Sequence, residues 1–168
     1  MRILGVDPGT VITGFGVLEK KQNECFIVDY GILNLSSQKQ FSKRLQKIYD
    51  GISGVINLYQ PDEFAIEDIF YAENARVALK MGHARGVAIL AAVNHHLPTS
   101  EYSPREIKQS VVGNGGASKE QVQRMVQQIL RMDKIPEPYD AADAIAVALC
   151  HLHHLESKND LPCARSNR

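Results

Sequence analysis

The chain has 168 residues, of which 44% are hydrophobic and 23% charged, ordinary values for a globular protein with a real core. Nineteen basic residues offset nineteen acidic ones, so bulk charge gives no sign of nucleic acid and any such role must rest on local placement. No apolar run reaches the ~18 residues of a membrane span, and Met1-Arg2-Ile3-Leu4-Gly5 offers neither a charged leader nor a cleavage site, so the expected location is the cytoplasm, with no membrane partner.

Residues 2–6 are a short apolar run closed by Asp7-Pro8-Gly9-Thr10, a turn by composition. Residues 13–20 and 25–35 read as two further strands around Asn23, the first with Gly14 and Gly16 where side chains must stay small. The domain thus opens with an antiparallel meander. A long helix follows, with Ser36 or Ser37 as its expected cap. Phe41, Leu45, Ile48, Tyr49, Ile52, Val55, Ile56 and Tyr59 recur at helical spacing, and Pro61 ends it. Phe64-Ala65-Ile66-Glu67 is a fourth strand with a carboxylate at its end.

Residues 74–94 read as a helix whose stretch from Val87 to Val93 is apolar on every side, and such a helix is expected to be buried all round. Its apolar surface could be covered within one chain or by a second copy. Pro98 stops it, 99–102 make a fifth strand, and Ser103-Pro104 starts a helix as cap and first turn. After the glycine-rich break Gly113-Asn114-Gly115-Gly116, Ser118 and Gln121 form a capping box. The last helix is expected from about Asp140 to His154, with a frayed polar tail from Ser157. The order βββ-α-β-α-β-α-α-α gives an α/β protein, a mixed five-stranded sheet flanked by helices. One domain over 1–155 and a disordered tail over 156–168 are expected.

Three cysteines, Cys25, Cys150 and Cys163, are odd in number and irregularly spaced, so no disulfide framework emerges. Cys150-His151-Leu152-His153-His154 has no second ligand pair at structural-zinc spacing, and reads as a helix end with a buried thiol and solvated histidines.

Asp7 follows the first strand and Glu67 closes the fourth, so neighbouring strands would bring both carboxylates to one end of the sheet. Asp140 and Asp143 are three apart on a helix, hence on one face, among small and apolar residues. Each has a duller reading alone: Asp7 as a turn residue, Asp140 as an N-cap. Together they are a cluster of like charges that a cation would compensate. All-oxygen donors suit Mg²⁺ or Mn²⁺, and a pair of such ions could clamp both oxygens of an in-line phosphate displacement.

The motifs Ile3-Leu4-Gly5-Val6-Asp7-Pro8-Gly9, Phe64-Ala65-Ile66-Glu67 onward to Phe70, Lys80-Met81-Gly82-His83-Ala84-Arg85-Gly86-Val87-Ala88, Val111-Val112-Gly113 before Lys119, and Asp140-Ala141-Ala142-Asp143-Ala144 stand in order. Over roughly residues 2 to 155 the chain resembles the RuvC family of Holliday junction resolvases, within the ribonuclease H-like fold. The resemblance implies that Asp7, Glu67, Asp140 and Asp143 are metal-binding catalytic acids. It implies a homodimer that nicks opposite strands of a four-way DNA junction, with the RuvA-RuvB branch-migration complex as partner. Phe70 matches the family's base-stacking aromatic, and Lys108 and Lys119 match residues that contact the DNA backbone. Read without the resemblance, Phe70 fits a core aromatic as well, and both lysines fit a solvated helix surface. The opening Gly5-Val6-Asp7-Pro8-Gly9-Thr10 also resembles the first phosphate loop of actin-like ATPases, but a second lobe and a second glycine-rich motif are missing from this sequence. A silent nucleic-acid-binding module would gain from losing acids near phosphate.

Overall fold

In a computed structural model, residues 1–22, 24–68 and 74–159 are described. Strands β1 (Arg2–Asp7), β2 (Ile12–Lys21) and β3 (Glu24–Asn34) form the meander, followed by helix α1 (Phe41–Tyr59) and strand β4 (Glu63–Glu67). Helix α2 (Ala75–Asn94), strand β5 (Thr99–Tyr102) and helices α3 (Pro104–Val112), α4 (Lys119–Ile129) and α5 (Tyr139–Asn159) complete the chain. The sheet order is β3-β2-β1-β4-β5, with β1 antiparallel to β2 and parallel to β4. Among the described residues no helix is long and apolar enough to cross a membrane.

The sheet divides the interior into two cores because strand side chains alternate faces. Leu4, Val6, Phe64 and Ile66 pack on one face with Ile48 and Ile52 of α1 and with Ala84, Ala88 and Ala91 of α2. Ile3 and Ala65 point to the other face, against Ile145 and Leu149 of α5 and Val122 and Val126 of α4. By the same alternation Asp7, following Val6, and Glu67, following Ile66, both belong to the α5 face.

Three expectations change. First, α1 begins at Phe41 with Gln40 at the N-cap position and no side-chain cap. Ser36 instead donates from its N and Oγ to the Asn34 carboxamide oxygen, an Asx turn that uses up the serine before the helix starts.

Second, α2 is not buried all round within the chain. Its alanines face the core, while Leu79, Leu90 and Val93 are 67%, 50% and 51% exposed. The helix wrapped on nearly every side is α5, where Ala141, Ala142 and every residue from Ala144 to Leu152 are buried.

Third, α5 continues past His154 to Asn159, with an ion pair between Lys20 and Glu156 tying its last turns to β2. The histidines on it are not solvated either. His151 is 2% exposed and its Nδ1 lies 2.8 Å from the Tyr102 hydroxyl, while His153 Nδ1 lies 2.9 Å from Ser110 Oγ. The Cys150 thiol is buried as expected, and burial pushes it up to about 11. Both serine-led capping boxes form as read, Ser103 with Glu106 and Ser118 with Gln121.

Candidate active site

β1 and β4 run parallel with Val6 beside Ile66, so Asp7 and Glu67, one residue further along each strand, leave the sheet side by side. α5 reaches them because the sheet has no side chains in its path. A Cβ on Gly5 would stand 2.3 Å from the Ala144 carbonyl oxygen, one on Gly14 1.9 Å from that of Asp140, and one on Gly16 2.8 Å from Ile145. These three glycines let the first turns of α5 lie directly on β1 and β2, which sets Asp140 and Asp143 over Asp7. The loop after Asp7 is fixed too: Thr13, buried, donates from Oγ1 to the Gly9 carbonyl at 2.9 Å and accepts from the Gly9 N–H at 3.3 Å.

The result is a cleft of about 480 Å³ lined by Asp7, Glu67, Asp140 and Asp143, with Lys108 from α3 and Lys119 from the start of α4. Lys119 Nζ donates to Asp143 Oδ2 at 2.7 Å. Burial first, then the charges of Glu67 and Asp143, a hydrogen bond to Glu67 and finally Asp140 hold Asp7 well above the ordinary carboxylate range. Glu67 is also raised, by burial and by Asp143, although its bond with Asp7 and the charges of Lys119 and Lys108 pull it down. Burial lowers Lys119, but its bond and attraction to Asp143, with Asp7 and Asp140 behind, outweigh this and leave it raised. Folding has thus gathered more negative charge than its two lysines neutralise.

In this arrangement no three His, Cys, Asp or Glu side chains among the described residues are gathered closely enough to hold an ion. The donor set nevertheless fits a hard divalent cation: it is all oxygen, it carries surplus negative charge, and Asp143 is engaged by an ammonium that an ion could replace.

All four acids and both lysines singled out from the sequence line this cleft. Arg124, also flanking the glycine-rich break, is exposed and does not. Phe70 lies outside the described residues. Sequence reasoning missed Thr13, Asp68 and Met81. Thr13 carries no signal beyond its place in a strand. Asp68 and Met81, which line the cleft, stand beside or inside quoted motifs that gave them no role.

The family model of the crossover junction endodeoxyribonuclease RuvC matches residues 3–151. The chain belongs to the RuvC family. Among its relatives, a crossover junction endodeoxyribonuclease RuvC of Geobacter sulfurreducens is 49% identical over 165 residues, 98% of this chain and 100% of that one. Another, of Syntrophotalea carbinolica, is 53% identical over 163 residues, 96% of this chain and 99% of that one. The solved structure of Thermus thermophilus RuvC in complex with Holliday junction substrate superimposes with a TM-score of 0.88 at 31% identity, covering 94% of this chain and 96% of that one. The fold is therefore the ribonuclease H-like arrangement of RuvC structures, and the actin-like alternative falls away.

Proposed function

We propose that this chain is a divalent-metal-dependent endonuclease that resolves four-way DNA junctions by nicking opposite strands, in recombination and repair. The observation that carries the reading is the convergence of Asp7, Glu67, Asp140 and Asp143 from two strands and a helix into one cleft flanked by Lys108 and Lys119. A family relative solved with a Holliday junction supports the choice of substrate.

Asp7 and Glu67, fixed at strand ends, form the rigid half of the site, and Asp140 and Asp143 on α5 form the other half. When bound there, Mg²⁺, as two ions per site and with Mn²⁺ able to substitute, would stabilise the negative charge that develops on the phosphate oxygens. Asp143 would exchange Lys119 for the ion. The freed Lys119 ammonium, at the start of a helix and beside the acids, is then placed to meet a phosphate or the departing oxygen. Lys108 adds positive charge to the same wall and holds the DNA backbone. Phe70, two residues beyond Asp68 in sequence, remains the candidate for stacking on bases near the crossover.

A four-way junction has an approximate two-fold axis, so a homodimer would present two copies of this cleft across it. The outer face of α2 supports that assembly. Leu79, Leu90 and Val93 are exposed on one stripe with Gly82 and Gly86, above which nothing stands within 4 Å of an added Cβ. The RuvA-RuvB complex, in the cytoplasm, is the proposed branch-migrating partner. The pure protein should nick a labelled four-way junction at opposite strands with Mg²⁺ and leave it whole in chelator. Equal cutting of a matched linear duplex, or cutting in chelator, would overturn the reading.

A further inference from the structure

One quoted motif, Lys80 to Ala88, has a charged residue that the cleft itself does not use. Arg85 lies on the inner side of α2, one turn beyond Met81, which lines the cleft. Its Nη2 is 3.2 Å from Asp68 Oδ1 and also paired with Glu101 Oε2. Asp68 follows Glu67 at the end of β4, its backbone N–H donating to the Tyr102 carbonyl at 2.8 Å, and Glu101 is the β5 partner of Ile66. Strand alternation puts Glu67 on the α5 face, with the other acids, and Asp68 and Glu101 on the α2 face. The guanidinium therefore clips the last residue pair of β4 and β5 from behind, while Glu67 faces the chemistry from the front.

Stability alone does not account for this arrangement. The carboxylates of Asp68 and Glu101 are 43% and 48% exposed, and such pairs contribute little. Arg85, by contrast, is only 20% exposed, and its Nε is buried without an acceptor among the described residues, a cost that exposed partners do not offset. The network is better explained by position: Asp68 itself lines the cleft, one residue from a catalytic acid.

We infer that Arg85 is a positioning residue of the active site, holding Asp68 back against Glu101 so that Glu67 stays aimed at the metal ligands on α5 and Asp68 stays out of the ion's place. The inference rests on the metal-dependent reading proposed above. Without Arg85, Asp68 and Glu101 would repel each other across the strand ends, the end of β4 would loosen, and the Asp68 carboxylate would be free to swing toward the cleft. Support of this indirect kind changes metal affinity or activity by about 10–100-fold when removed. A single nitrogen touches both carboxylates, so the ammonium of a lysine can take over most of the role.

The test uses Mn²⁺ as probe, titrated calorimetrically into the full-length protein without DNA, alongside junction binding in chelator, single-turnover junction cleavage and melting curves. Arg85→Gln should weaken Mn²⁺ binding about ten-fold or more, slow cleavage, and leave junction affinity in chelator and the fold intact. Arg85→Lys should restore most of the Mn²⁺ affinity. Asp68→Asn added to Arg85→Gln should restore part of it, because the displaced carboxylate no longer competes. Wild-type Mn²⁺ affinity in Arg85→Gln would overturn the inference, as would parallel loss of stability and junction binding, or failure of both rescues. A wild-type protein with no saturable Mn²⁺ binding would overturn the metal reading itself and this inference with it, and the flat wild-type titration distinguishes that case.

Discussion

Asp7 shows what the site costs its own chain. Burial and neighbouring carboxylates raise its folded-state pKa above the unfolded value, so folding favours its protonated form. The stability linked to that proton is full below the ordinary carboxylate range and is lost as pH rises through the raised value. Asp7→Asn keeps the size and removes the charge. In chelator at pH 7 to 8 it should melt higher than wild type by about 2–4 °C, the equivalent of ~1 kcal/mol in a chain of this size, and the gain should vanish in acid. His151 and His153, both lowered by burial, lose stability in the opposite direction as pH falls, but that contribution cancels in the difference between variant and wild type. With Mg²⁺ the same variant should bind junctions and fail to cut them, because the lost ligand acts on the transition state while lysines supply affinity. Normal cutting would remove Asp7 from the site, and an unchanged melting profile would show that the charges are compensated without an ion.

At the scale of elements, α5 is the part on which the site depends, and its seat is made by what β1 and β2 lack. Gly5→Ala puts a methyl group 2.3 Å from a backbone oxygen of α5, and a helix buried on nearly every side has no free direction in which to move. The expected cost is about 1–3 kcal/mol in a denaturant titration. Cleavage should fall by more than the unfolded fraction explains, since any retreat of α5 carries Asp140 and Asp143 away from Asp7. Activity that tracks stability alone would mean that α5 shifts without moving the acids. The helices α3 and α4 illustrate the opposite case. Their starts were legible from Ser103-Pro104 and from Ser118 with Gln121, because a capping box is satisfied locally and needs no neighbour. The start of α1 was not legible, since Ser36 has a nearer partner in Asn34.

For the whole molecule, the proposed two-fold assembly ties the outer stripe of α2 to the cleft, because the same helix carries Met81 and Arg85 inward. Leu90→Glu should leave the fold stable, its side chain being half exposed, yet shift sedimentation from dimer to monomer and abolish paired nicking. A mixed dimer with one Asp7→Asn subunit should nick one strand of a junction and fail at the opposite one. Sedimentation of the wild type as a monomer at working concentration, bound to DNA or free, would end this reading.

The sequence by itself determined the element order, the meander, the helix starts with local caps and the acids and lysines of the cleft. Those signals are local or periodic: alternation of two, spacing of 3.6 and turn residues are set by a few neighbouring positions. Only the tertiary structure decided which helix is central. α2 and α5 both carry long apolar stretches, and nothing in their spacing says which one the sheet will cover. That depends on Gly5, Gly14 and Gly16, whose missing side chains make room on one face for α5 alone. The pairing of Lys119 with Asp143 and of Arg85 with Asp68 and Glu101 was beyond the sequence for the same reason. Each joins residues far apart in the chain that become neighbours only when the strands and helices pack.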